Sequence, residues 1–111
     1  MLRLPWFDYR APRTVAEASK ILAGEGPQAM LIAGGTDLLP NMKRRHQTPK
    51  VLVSLRGIES LKACSNGSGI VLGSALSLTQ VSENKNIKEK FTSLYQAAAQ
   101  VATPQLRNVG T

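Results

Sequence analysis

After the apolar run Ala29–Ala33 the chain reads Gly34-Gly35-Thr36-Asp37-Leu38, and these residues are equipped for chemistry. Glycine has no Cβ, so a ligand can approach its backbone closely. It also takes positive φ, which can aim successive N–H groups into a concave nest. Thr36 adds a hydroxyl donor. If a strand ends here and a helix begins, the unpaired N–H groups of the helix start join the nest. Such a turn grips an anion, and a diphosphate suits it better than a neutral ligand. Asp37 works against that reading, because a carboxylate beside a diphosphate is repelled. Its expected place is over the free N–H groups of the helix it precedes. The alternative is that it accepts a hydrogen bond from a ribose or a ring N–H. Gly-Gly-Thr-Asp is also an ordinary way to turn a corner. It matches neither G-x-x-x-x-G-K-[ST] nor G-x-G-x-x-G, which argues against a Walker-type ATPase and a Rossmann dehydrogenase.

A second stretch, "VATPQLRNVGT" at residues 101–111, places Arg107 as a fixed charge and opens a second bare-backbone turn at Gly110-Thr111. Its plain reading is a frayed tail. Cys64 and His46 are single residues of their kind, so an intrachain disulfide and a cysteine metal cluster are excluded. Cys64 is expected as a small buried side chain on a strand, and His46, beside Lys43-Arg44-Arg45, as a solvated one.

The elements that must position these residues follow from pattern. Trp6–Pro12 reads as an extended entry. Thr14 and Glu17 form a capping box for a helix over residues 15–23, with Gly24 and Gly26 as its stop. Ala29–Ala33 is short and continuously apolar, which suits a strand covered on both faces. Thr36 and Asp37 are expected to cap a short helix over 38–45, with Pro40 in its first turn. Residues 51–55 alternate and are β-branched, a second strand; 57–61 is a single turn. Residues 62–65 and 69–73 flank Asn66-Gly67-Ser68 as a hairpin. Ser77 and Gln80 form a second capping box, and Phe91, Leu94, Tyr95, Ala98 and Val101 share one face of a helix over 87–102 that Pro104 ends. The order predicts an α+β domain, a small mixed sheet with flanking helices, over residues 1–111 as one domain.

The 111 residues carry fourteen basic and seven acidic side chains, a net charge of +7, which favours an anionic partner without choosing a phosphate ligand, nucleic acid or an acidic protein surface. The N-terminus is too polar for a signal peptide and no segment approaches a membrane span, so a cytoplasmic protein is expected.

Four segments, "FDYRAPRTVAEA", "LIAGGTDLLPNMKRR", "GIVLGSALSLTQV" and "VATPQLRNVGT", occur together and in order. Together they resemble the FAD-binding subunit or domain of the molybdenum hydroxylases. That family includes carbon monoxide dehydrogenase medium subunits, xanthine dehydrogenases and 4-hydroxybenzoyl-CoA reductase β subunits; "TDLLPNMKRR" is most similar to the last. The resemblance implies the first lobe of a vanillyl-alcohol-oxidase-like (PCMH-type) FAD-binding domain. It implies FAD contacts at Leu31, Ile32, Ala33, Gly34, Gly35, Thr36, Asp37 and Leu38, with the diphosphate on the backbone of Ala33–Thr36. It implies flavin-lining positions at Val101, Ala102 and Thr111. It also implies an iron–sulfur subunit and a molybdenum-cofactor subunit as partners, and no catalytic acid, base or nucleophile in this chain. The family continues past "RNVGT" with a glycine pair and a second lobe that this sequence does not contain, so weak or no FAD binding by the chain alone is expected. The competing readings are a small basic nucleic-acid-binding module, resting on Lys43-Arg44-Arg45 and the net charge, and a subunit-assembly lobe without cofactor. Against the former, aromatics are few and not interleaved with the bases.

Overall fold

The computed structural model describes residues 2–111. By internal contacts the chain forms two compact units, Met1–Ser60 and Leu61–Thr111.

The first unit is a three-stranded parallel sheet with β1 (Asp8–Arg10), β2 (Ala29–Ile32) and β3 (Val51–Ser54) in the order β1-β3-β2. The central strand is therefore β3, and Val51, Leu52, Val53 and Ser54 are all buried. That reverses the sequence expectation. The alternation read at 51–55 belongs to a strand covered on both faces, whereas the continuously apolar β2 is an edge with Leu31 44% exposed. Short β-branched runs do not reveal which strand will be central, because that depends on topology rather than periodicity. Leu52 packs with Leu38 and Met42 of α2 (Leu38–Lys43), and Phe7, Met30, Ile32 and Leu39 close round them. Successive side chains alternate across a strand, which leaves Val51 and Val53 for the opposite face, where α1 (Val15–Glu25) packs on β3.

Local chemistry sets the ends of α1. Thr14 Oγ1 accepts from Glu17 N at 3.1 Å, but the Glu17 carboxylate reaches Arg13 N rather than the N–H of Thr14, so the capping box is realised one residue out of register. Gly26, at φ +65°, ends the helix and donates to Leu22 O. Gly24 lies inside the helix, which runs two residues further than its glycines suggested.

The second unit joins a hairpin, β4 (Cys64–Asn66) and β5 (Ile70–Leu72), to four short helices: α3 (Leu78–Glu83), α4 (Lys85–Lys90), α5 (Thr92–Gln100) and α6 (Pro104–Val109). The Ser77–Gln80 capping box is complete, at 3.2 Å and 2.9 Å. The single helix expected over 87–102 is two, broken at Phe91 (φ −130°, ψ 59°), with Asn84 Oδ1 capping α4 through Asn86 N and Ile87 N. Ile87, Phe91, Tyr95 and Ala98 still share one core with Val81. Pro104 does not merely stop a helix. It occupies the first turn of α6, where a missing N–H costs nothing, and Thr103 Oγ1 caps that turn through Leu106 N at 3.3 Å. Cys64 lies on a strand as expected but is exposed, with Asn84 Nδ2 3.5 Å from its sulfur.

Candidate functional site

At the C-terminal end of β2 the chain leaves the sheet at Ile32, whose carbonyl accepts from Leu55 N at 2.9 Å, and turns through Ala33–Asp37 into α2. Gly35 has φ +75°, a conformation L side chains rarely adopt. A Cβ there would also lie 3.0 Å from Leu39 Cδ1 and 3.4 Å from Ile32 Cδ1. Glycine is thus favoured at 35 by the loop's own backbone conformation, and any Cβ would push Leu39 aside, before any ligand is considered.

The carbonyls of this loop are used: Leu39 N donates to Gly35 O at 3.1 Å and Asn41 N to Asp37 O at 3.2 Å. The donors are not. Among the described residues, the backbone N–H groups of Gly34, Gly35, Thr36 and Asp37 donate to no protein acceptor. Four consecutive unengaged amides, in a loop whose glycine takes a positive φ, are the arrangement a bound anion needs. Because α2 has only six residues, its dipole adds little, and the loop amides are the main donors.

Asp37 does not cap α2. It holds helical dihedrals (φ −106°, ψ −47°) and makes no side-chain cap bond. Its Oδ2 instead accepts from Asn41 Nδ2 at 3.2 Å, one turn along the helix. An N-cap side chain reaches the N2 or N3 amide from an extended backbone, and Asp37 is already coiled. A capping carboxylate would have reached the Leu39 amide, which donates to Gly35 O instead; the Gly34–Asp37 amides lie outside its reach. Asn41 was not singled out from the sequence; its spacing of four from Asp37 is the signal that could have found it.

Arg45 is not simply solvated. At φ +63° it turns its guanidinium back, and Nη1 donates to Arg3 O at 2.6 Å and to Met42 O at 3.0 Å. This closes the C-terminal end of α2 and ties down the N-terminal segment. His46 is exposed, as expected.

Of the remaining predicted site residues, Leu31 and Ile32 end β2, Ala33 opens the loop, and Leu38 is the buried first residue of α2. Val101, Ala102 and Thr111 belong to the second unit and are exposed. The tail is not frayed. Gly110 is buried, its carbonyl accepts from Leu78 N at 2.9 Å, and its N–H donates to Leu106 O at 2.7 Å.

A cavity of about 510 Å³ in the first unit is lined by Pro27, Gln28, Met30, Gln47, Thr48, Pro49 and Lys50. It lies at the N-terminal ends of β2 and β3, away from the glycine loop. In parallel sheets ligands bind beyond the carboxyl ends of the strands, so the loop and not this cavity is the candidate site. Among the described residues no group of three His, Cys, Asp or Glu side chains could hold a metal, and no helix is long and apolar enough to cross a membrane.

Residues 5–111 match the family model described as "FAD binding domain in molybdopterin dehydrogenase", and the chain belongs to that family. It is 36% identical over 108 residues to the carbon monoxide dehydrogenase medium chain of Hydrogenophaga pseudoflava, covering 96% of this chain and 38% of that protein. It is 34% identical to the nicotinate dehydrogenase FAD-subunit of Eubacterium barkeri, over 95% of this chain and 36% of that one. The solved carbon monoxide dehydrogenase of H. pseudoflava superposes with a TM-score of 0.95 at 35% identity, and quinoline 2-oxidoreductase of Pseudomonas putida 86 with 0.93 at 33%; each match covers 98% of this chain and 38% of the other. The chain thus spans a little over a third of the length of these relatives. The likeness bears out the α+β fold expected from the sequence.

Proposed function

We propose that this chain supplies the diphosphate-binding part of an FAD-binding, electron-transferring subunit of a molybdenum hydroxylase. The four unengaged amides of Gly34–Asp37 carry the reading. Gly35 holds the turn, Thr36 adds an exposed hydroxyl, and Asn41 occupies the Asp37 carboxylate. When bound, FAD supplies the redox chemistry; the chain's own part is binding and orientation. The residues Leu31–Leu38 are assigned to the cofactor, and the exposed Val101, Ala102 and Thr111 to the flavin. The partners proposed are an iron–sulfur subunit and a molybdenum-cofactor subunit in a cytoplasmic complex, and the net charge of +7 suits a dianionic linker and acidic partner surfaces. The likeness of "TDLLPNMKRR" to the 4-hydroxybenzoyl-CoA reductase type supports that narrower assignment.

The test is a titration of the chain with FAD, ADP and riboflavin, followed by flavin fluorescence or by amide chemical shifts. The proposal expects FAD and ADP to compete and riboflavin, which lacks the diphosphate, to be far weaker. Riboflavin binding as tightly as FAD would remove the diphosphate from the account. The nucleic-acid reading is less supported, since Arg45 Nη1 of the exposed basic run is engaged by the main-chain carbonyls of Arg3 and Met42. A strongly salt-dependent gel shift with RNA, and no response to FAD, would restore it.

A further inference from the structure

Among the described residues only two outside glycine have positive φ, Arg45 and Ala102. Ala102, at φ +55°, follows α5 and is exposed; it gains no packing from its conformation. The left-handed region is unfavourable for any residue with a Cβ, so something must hold Ala102 there. The hold is Arg107. Its Nη1 donates to Val101 O at 2.8 Å and to Ala102 O at 3.3 Å, reaching back from α6 across the turn. The helix that carries Arg107 is itself fixed. Thr103 caps its start, Asn108 Oδ1 accepts from Thr79 Oγ1 at 2.8 Å, and Gly110 closes its end on Leu106 and Leu78. A guanidinium is planar and permanently charged, which suits it to gather two carbonyls that a turn has brought together.

We infer that Arg107 is a positioning residue for cofactor binding: its guanidinium holds the carbonyls of an extended Val101 (φ −68°, ψ 140°) and a left-handed Ala102, fixing the turn that presents their exposed surface to the flavin. The inference rests on the proposed FAD site. The fixed charge expected at Arg107 is thereby directed at the chain's own carbonyls.

The experiment compares wild type, Arg107→Met, Ala102→Gly and the double variant, in the full 111-residue chain. The first readout is the carbon-13 shift of residue 102, which reports backbone conformation without any ligand. The second is FAD affinity by titration, with circular dichroism melts to confirm that each variant folds. Arg107→Met should move the Ala102 shifts out of the left-handed range and weaken FAD binding about tenfold. Glycine adopts positive φ freely, so Arg107→Met should cost little further affinity when made on top of Ala102→Gly, in contrast to its cost of about tenfold beside Ala102. Unchanged Ala102 shifts in Arg107→Met would overturn the inference. So would an undiminished cost of Arg107→Met on top of Ala102→Gly, which would assign Arg107 a direct charge contact. FAD uptake is read on the chain alone and on the chain joined to the second lobe of a relative; uptake by neither would overturn the proposed site instead, and the carbon shifts would then decide the clamp alone.

Discussion

Asn41 Nδ2 donates to Asp37 Oδ2 at 3.2 Å, and this contact, rather than a helix cap, is where the loop's only carboxylate is used. The negative charge nonetheless stays within the loop. Replacing Asp37 with Asn removes it while keeping a side chain that Asn41 can bond. FAD binding is expected to tighten by about threefold, more at low salt, where repulsion is less screened. Stability should change by less than about 1 kcal/mol, because the pair is exposed. Affinity titrations at two salt concentrations check both parts; weaker binding would show that Asp37 contacts the ligand favourably.

Gly34 and Gly35 should respond differently. Gly35 has positive φ and sits against Leu39, so Gly35→Ala is expected to cost about 1–3 kcal/mol in a thermal or denaturant melt, even without ligand. Gly34 does not have positive φ, so Gly34→Ala should cost less in the melt than Gly35→Ala and weaken FAD binding by placing a methyl group on bare backbone. Equal loss of stability in the two variants would contradict the division of roles.

Met42 is fully buried between Leu38 and Leu52 and anchors the helix on which the loop rests. Met42→Ala is expected to destabilise by about 2–5 kcal/mol, from lost burial plus the cavity left behind. The check is urea unfolding followed by the exposed Trp6 together with far-ultraviolet dichroism. A change under 1 kcal/mol would mean that the site can collapse around the hole.

Cys64 is exposed on β4. A thiol reagent should therefore titrate it in the native chain at a rate close to that in denaturant. Strong protection would restore the buried position that its small apolar character implied.

The sequence revealed most where the rule is local. The Ser77–Gln80 box, the hairpin at Asn66–Ile70 and the strand–glycine–helix order around Gly34 follow from chemistry within a few residues. It misled where tertiary structure decides. Nothing in Val51–Ser54 says that two other strands will flank it, and nothing in Phe91 announces a break between α4 and α5. Thr103-Pro104 carries a helix-start signature, a hydroxyl followed by proline, but the same proline also serves as a terminator, and the sequence alone does not choose between the two. At the site, the open amides were anticipated from glycine chemistry. The roles of Asn41, Arg45 and Arg107 were not, because each depends on a side chain folding back onto atoms that only the turn geometry brings near.

The most direct test of the central claim is an amide proton–nitrogen correlation spectrum of the chain titrated with FAD to millimolar concentration, where even weak binding moves signals. The account predicts concentration-dependent shifts centred on Gly34, Gly35, Thr36 and Asp37, reproduced by ADP. Shifts confined to the cavity around Gln28, Thr48 and Lys50, with the loop amides unmoved, would contradict it.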